Sequence, residues 1–159
     1  MKKFLPDFGA IGKTNWGKPN LDTKNPMWLV MAGAALLMVV FAFIPWQTVA
    51  KGSVSFSTLG VATWYGILGL LSALVVVYGV LYNQVKFVFC GAVLAAVFGL
   101  LGCVLYAGYS VGGVSVDAAA VKAAVKAAGL KVSHIGAILF LVASLVAAGV
   151  SFLQIKNEK

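Results

Sequence analysis

Four uninterrupted apolar runs constrain this chain more than any other feature. They cover residues 27–46, 64–82, 87–109 and 135–153, and none contains Asp, Glu, Lys, Arg or His. About 20 such residues cross a bilayer core, so each run is long enough to span one. Composition rules out the soluble alternative. The chain is 62% hydrophobic and 10% charged, whereas soluble domains are about 45–50% apolar and about 25% charged. A soluble chain of this size buries only about 70% of its surface, which leaves too little interior for so many apolar residues. The fold expected is an all-α membrane protein, a four-transmembrane-helix bundle with a small cap of short β-like pieces and one short helix.

The run ends carry Trp28, Trp46, Trp64, Tyr65, Tyr82, Tyr106 and Tyr109, as an interfacial aromatic belt requires. Pro45 disfavours helix at the residue before it, so the first run stops there, with Trp46 read as an interfacial anchor. That run begins too late and is too long for a cleaved signal peptide; it is read as retained. Lysine placement orients the bundle. Lys2, Lys3, Lys13, Lys18, Lys24, Lys86, Lys156 and Lys159 share the N-terminal side, and Lys51, Lys122, Lys126 and Lys131 the other. The positive-inside rule then gives N-in/C-in. The organisation expected is a cytoplasmic tail over residues 1–26, a transmembrane domain over 27–155 and a C-terminal tail over 156–159. No N-x-Ser/Thr sequon occurs, in keeping with a bacterial inner membrane.

The net charge of +8 comes entirely from lysine. Nucleic-acid readers rely on the bidentate fork of Arg, so no nucleic-acid partner is expected. Cys90 and Cys103 sit about 20 Å apart on one helix, beyond disulfide reach and without metal-ligand spacing. Pumps and coupled transporters place ionisable groups at membrane depth, and the runs hold none. The single histidine, His134, has no second imidazole to help it hold a metal. The expectation is therefore no enzyme, no catalytic residue, no metal and no cofactor.

Small residues are more informative. Gly91, Ala95, Gly99, Cys103 and Ala107 recur every four residues in the third run, and Gly69 and Ala73 make a shorter stripe in the second. Small-xxx-small stripes let helices approach closely in lipid, either inside one bundle or between subunits.

The two loops on the lysine-poor side are patterned. In residues 47–63, Val54, Phe56 and Thr58 alternate with serines, and Val114 and Val116 flank Ser115 in the second loop. Period-two alternation reads as strand, and the two pieces are expected to pair. Asp117 is a good N-cap, residues 118–128 are strong helix formers and Gly129 is a natural stop. The helix so defined carries Val121 and Val125 on one stripe and Lys122 and Lys126 on the next, an outer contact for protein rather than lipid. The N-terminal tail holds Phe4, Phe8 and Trp16 among glycines and prolines, a candidate docking peptide.

This layout resembles the claudin-like tetraspan plan in topology. The W-…-L-W-C-C signature of that family's first outer loop is missing, because residues 47–63 have neither paired cysteines nor a W-…-L-W pattern. The resemblance implies topology alone. The function expected is a non-enzymatic structural or accessory subunit. Its partners would be the lipid bilayer and either copies of itself, as a homo-oligomer, or other subunits of a membrane complex. The alternative is a channel or transport subunit that forms a pore as an oligomer.

Overall fold

The computed structural model describes residues 2–106, 109–111, 114–129 and 131–158. The chain is mostly helical. A one-turn helix α1 (Gly9–Lys13) precedes α2 (Pro26–Ala42), and a hairpin of β1 (Pro45–Lys51) and β2 (Val54–Leu59) follows. Next come α3 (Trp64–Leu81), α4 (Val85–Val104), a second hairpin of β3 (Tyr109–Val111) and β4 (Val114–Val116), and α5 (Ala118–Ala128). Strand β5 (Lys131–Ser133) leads directly into α6 (Ile135–Asn157). The four long helices pack in a ring, α2 on α3 and α6, and α4 on α3 and α6.

Helices α2, α3 and α5 each start at a capping side chain. Asn25 accepts from the Met27 N–H and Pro26 takes the first helical position, where its missing N–H costs nothing. Thr63 accepts from Gly66 N–H at the head of α3. Asp117 accepts from Ala120 N–H, and Gly129 stops α5 at φ 62°, a left-handed conformation that glycine takes without a Cβ penalty.

Among the described residues, three helices, α3, α4 and α6, are long and apolar enough to cross a membrane; α2, with 17 residues, is shorter. The first apolar run, residues 27–46, was expected to stop at Pro45; α2 ends earlier, at Ala42, and Pro45 opens β1. The cause is local: proline pushes Ile44 into extended backbone, and the edge so created pairs as a strand. The third run stops at Val104 rather than residue 109, because Tyr109 is taken into β3. The fourth continues past residue 153 to Asn157. No Gly or Pro interrupts it there, and Lys156 in its last turn suits the negative helix end.

The strand pairing also differs from expectation. The two serine-rich pieces do not pair with each other. β2 pairs with β1, β1 pairs on its other side with β5, and β4 folds back on β3. The resulting sheet order is β2-β1-β5. Local hairpins win because closing a two-residue turn costs far less entropy than bringing distant loops together; only Gly52, at φ 62°, and Ser53 lie between Lys51 and Val54.

Trp46 is the main correction. Expected as an interfacial anchor, it is 1% exposed. Its indole N–H donates to the Phe41 carbonyl at 2.7 Å, and its ring lies 4.9 Å from Phe140 and 6.2 Å from Tyr65. Three glycines make room for it. A Cβ on Gly60 would strike the indole nitrogen, one on Gly69 would lie 3.3 Å from the ring edge, and one on Gly102 would lie 2.5 Å from it. The indole thus joins the first hairpin to α3, α4 and α6 at one end of the bundle.

Residue size along the four long helices is distributed in a particular way. The interior is built of small residues, with Ala42, Ala73, Ala92, Ala95, Ala137 and Ala147 at 0% exposure or close to it. Bulky leucines face outward, among them Leu36, Leu71, Leu94, Leu100 and Leu145. A water-soluble bundle would do the reverse.

Candidate interaction site

The N-terminal segment lies across the end of the bundle where the α3–α4 turn and the α6 C-terminus meet. Phe4 stacks on Phe152 at 5.4 Å and tilts against Phe89 at 5.6 Å. Phe8 meets the edge of Phe87, and Trp16 covers Tyr78 and Tyr82. The backbone is held too. Lys3 Nζ donates to the Glu158 carbonyl at 2.8 Å, Tyr82 Oη donates to the Trp16 carbonyl at 2.9 Å, and Asn20 N–H donates to the Leu81 carbonyl. Thr14 and Tyr78 share a hydroxyl–hydroxyl bond of 2.6 Å. The three aromatics proposed for docking therefore lie on this chain's own helices. Phe8 and Trp16 keep their outer faces free, at 70% and 63% exposure.

Between this segment and α3 and α4 runs an apolar groove of about 430 Å³, with Phe8, Ile11 and Trp16 on one wall and Leu74, Gly91 and Leu94 on the other. On the other flank of α1 is a smaller polar pocket of about 280 Å³, lined by Asp7, Lys13, Thr14, Asn15, Tyr82 and Gln84. Lys2, Lys3, Lys13, Lys18, Lys24, Lys86 and Lys156 all belong to this end of the bundle, against Asp7, Asp22 and Glu158.

The small-residue stripe of α4 faces inward within the chain. A Cβ on Gly91 would meet Val76 and the Ser72 carbonyl on α3, and one on Gly99 would meet Leu141 and Phe140 on α6. Ala95 between them and Ala73 on α3 are at 0% exposure, Gly69 packs on Phe140 and Trp46, and Cys103 is half-buried. Ala107 lies outside the described residues. Gly102, which receives the Trp46 ring, is off the four-residue stripe; its signal in the sequence is that Gly99 and Gly102 together form a second small pair at helical spacing.

On α5, Val121 is 5% exposed and Val125 half-buried, while Lys122 and Lys126 are exposed. His134 ends β5 and precedes α6, with its ring 6.1 Å from Tyr106. Its Nδ1 is buried without a hydrogen-bond partner. Burial pushes the imidazole below its usual range, and a backbone hydrogen bond with Gly102 offsets part of that shift.

The serine hydroxyls inside the bundle are used locally. Ser72 donates to Leu68, Ser144 to Leu141 and Ser151 to Ala147, each to a carbonyl of its own helix. Among the described residues, no three His, Cys, Asp or Glu side chains gather where they could hold a metal ion. Comparison with protein-family models, with curated proteins and with solved structures yields no match to this chain.

Proposed function

We propose that this chain is an integral, multi-pass membrane protein whose α2 crosses the bilayer together with α3, α4 and α6. In this reading it acts as a non-enzymatic structural or accessory subunit that oligomerises or docks within a membrane complex. The observation that carries the membrane assignment is the inverted size pattern, with alanine and glycine inside and leucine outside. Lipid chains are as apolar as leucine, so association rests on close packing of small residues and leaves bulky ones to face lipid. At 17 residues α2 is about 25 Å long. The apolar residues Phe43, Ile44 and Trp46 that follow it carry the chain the rest of the way across a core of about 30 Å.

The serines support an accessory role over a pore within one chain. A conducting path needs polar groups turned toward a lumen, whereas Ser72, Ser144 and Ser151 bond to their own helices. The lysine-rich N-terminal end favours both termini on the cytoplasmic side, and the placement proposed is a bacterial inner membrane, in keeping with the missing N-x-Ser/Thr sequon. The test is native mass measurement after gentle detergent extraction. A hetero-complex or a defined homo-oligomer is expected; a lone monomer under all mild conditions would overturn the subunit reading.

A further inference from the structure

The membrane reading leaves unexplained why a 25-residue segment rich in lysine and aromatics is laid over one end of the bundle. The apolar groove beneath it has the dimensions of a lipid site. Leu94 lies about 14 Å along α4 from Val85, and Leu74 about 10 Å along α3 from Leu81, at ~1.5 Å per residue. The groove therefore runs from the end of the bundle to near the middle of a core of about 30 Å, the depth of one acyl chain in one leaflet. Gly91, with no side chain, leaves room on one wall, and the Trp16 ring lines the other.

The groove itself is lined by apolar and aromatic side chains; the positive charge lies beside it, across α1. The pocket on the other flank of α1 offers Lys13, Asn15 and Gln84 as donors, and Lys18 is exposed two residues beyond Trp16. Asp7 is the one carboxylate in that lining, and its Oδ1 already accepts the Gly9 N–H at 2.9 Å. Among the described residues, seven lysines against three carboxylates at this end set the sign of the field. Resting on the membrane reading above, we infer that the N-terminal segment and α3–α4 form a binding site for an anionic phospholipid of the adjacent leaflet. One acyl chain lies in the groove under Phe8, Ile11 and Trp16, and the phosphate sits at Lys13 and Lys18. The segment then serves as a lipid-reading collar.

The charge term has a known scale, about fivefold in affinity per lysine near an anionic surface, and it weakens with salt. The test uses the full-length protein in mixed vesicles of phosphatidylcholine and phosphatidylglycerol with matched chains, followed by gentle extraction and native mass spectrometry. Retention of one phosphatidylglycerol with at least about fivefold preference over phosphatidylcholine is expected. The exposed double variant Lys13→Glu/Lys18→Glu should lose that preference while keeping its helical circular dichroism. Leu94→Trp, which fills the groove and leaves the lysines in place, should lower retention of the lipid. Equal retention of the two lipids by the wild-type chain, or an unchanged preference in the double variant, would overturn the site. Failure of the underlying membrane reading gives a different signature: the chain would leave the vesicles in alkaline carbonate.

Discussion

The packing of Trp46 against glycine supports a quantitative test. If the indole is a core element, Gly102→Ala places a methyl group 2.5 Å from the present position of the Trp46 ring, and the ring must move. Overpacking of this kind costs about 1–3 kcal/mol. Trp46→Leu removes the ring from between Phe140, Tyr65 and the glycines and deprives the Phe41 carbonyl of its donor. Truncations of buried aromatics cost about 3–5 kcal/mol when taken to alanine, and the larger leucine should fall somewhat below that. The two changes must interact, because the methyl group enters space the indole has left. In the Trp46→Leu background, Gly102→Ala should cost close to nothing, for a coupling of at least about 1 kcal/mol. The assay is equilibrium unfolding in mixed micelles of dodecyl sulfate and a mild detergent, followed by far-ultraviolet circular dichroism so that loss of a tryptophan does not alter the signal. Additive effects within about 0.5 kcal/mol, or a Trp46→Leu cost no larger than that of a surface substitution, would refute the core assignment and restore Trp46 as an interfacial anchor.

Three further outcomes are expected. His134 has a folded-state pKa below its unfolded value, so its contribution to stability is complete above about pH 6.5 and falls as the pH drops through and below that value, where the unfolded state binds the extra proton; thermal melts between pH 8 and 5.5 should show this decline, and His134→Gln should flatten it. Val121→Asp should lower hydrogen-exchange protection across α5, because Val121 is buried, while Lys122→Asp at an exposed position should leave it unchanged. Cysteines placed at the exposed positions Ser53 and Lys122 should react with a membrane-impermeant thiol reagent from outside intact cells, and labelling only after permeabilisation would reverse the orientation.

Both the close approaches and the strand order depend on distant parts of the chain meeting. Gly102 is 56 residues from Trp46, and β5 is more than 80 residues from β1. Neither pairing has a local signal, since an apolar tryptophan after a proline reads equally well as an interfacial anchor and as a core residue. Phe4, Phe8 and Trp16 pose the same problem. Their type marks them as contact residues, but only the folded chain shows that Phe89, Phe87, Tyr78 and Tyr82 are what they touch.

Local chemistry, by contrast, was sufficient wherever a structure is specified by neighbours along the chain. Asp117, the alanine-rich run after it and Gly129 define α5 with the bounds observed, because a cap, helix propensity and a left-handed stop all act within a few residues. Apolar length and the absence of charge identify α3, α4 and α6 as helices able to cross a membrane. The burial of Trp46, the choice of β1 and β5 as partners and the inward turn of the Gly91–Gly99 stripe were decided by tertiary structure. Each depends on which surfaces approach within van der Waals distance. In a chain this uniformly apolar, hydrophobicity cannot make that choice; side-chain volume and glycine-sized gaps do.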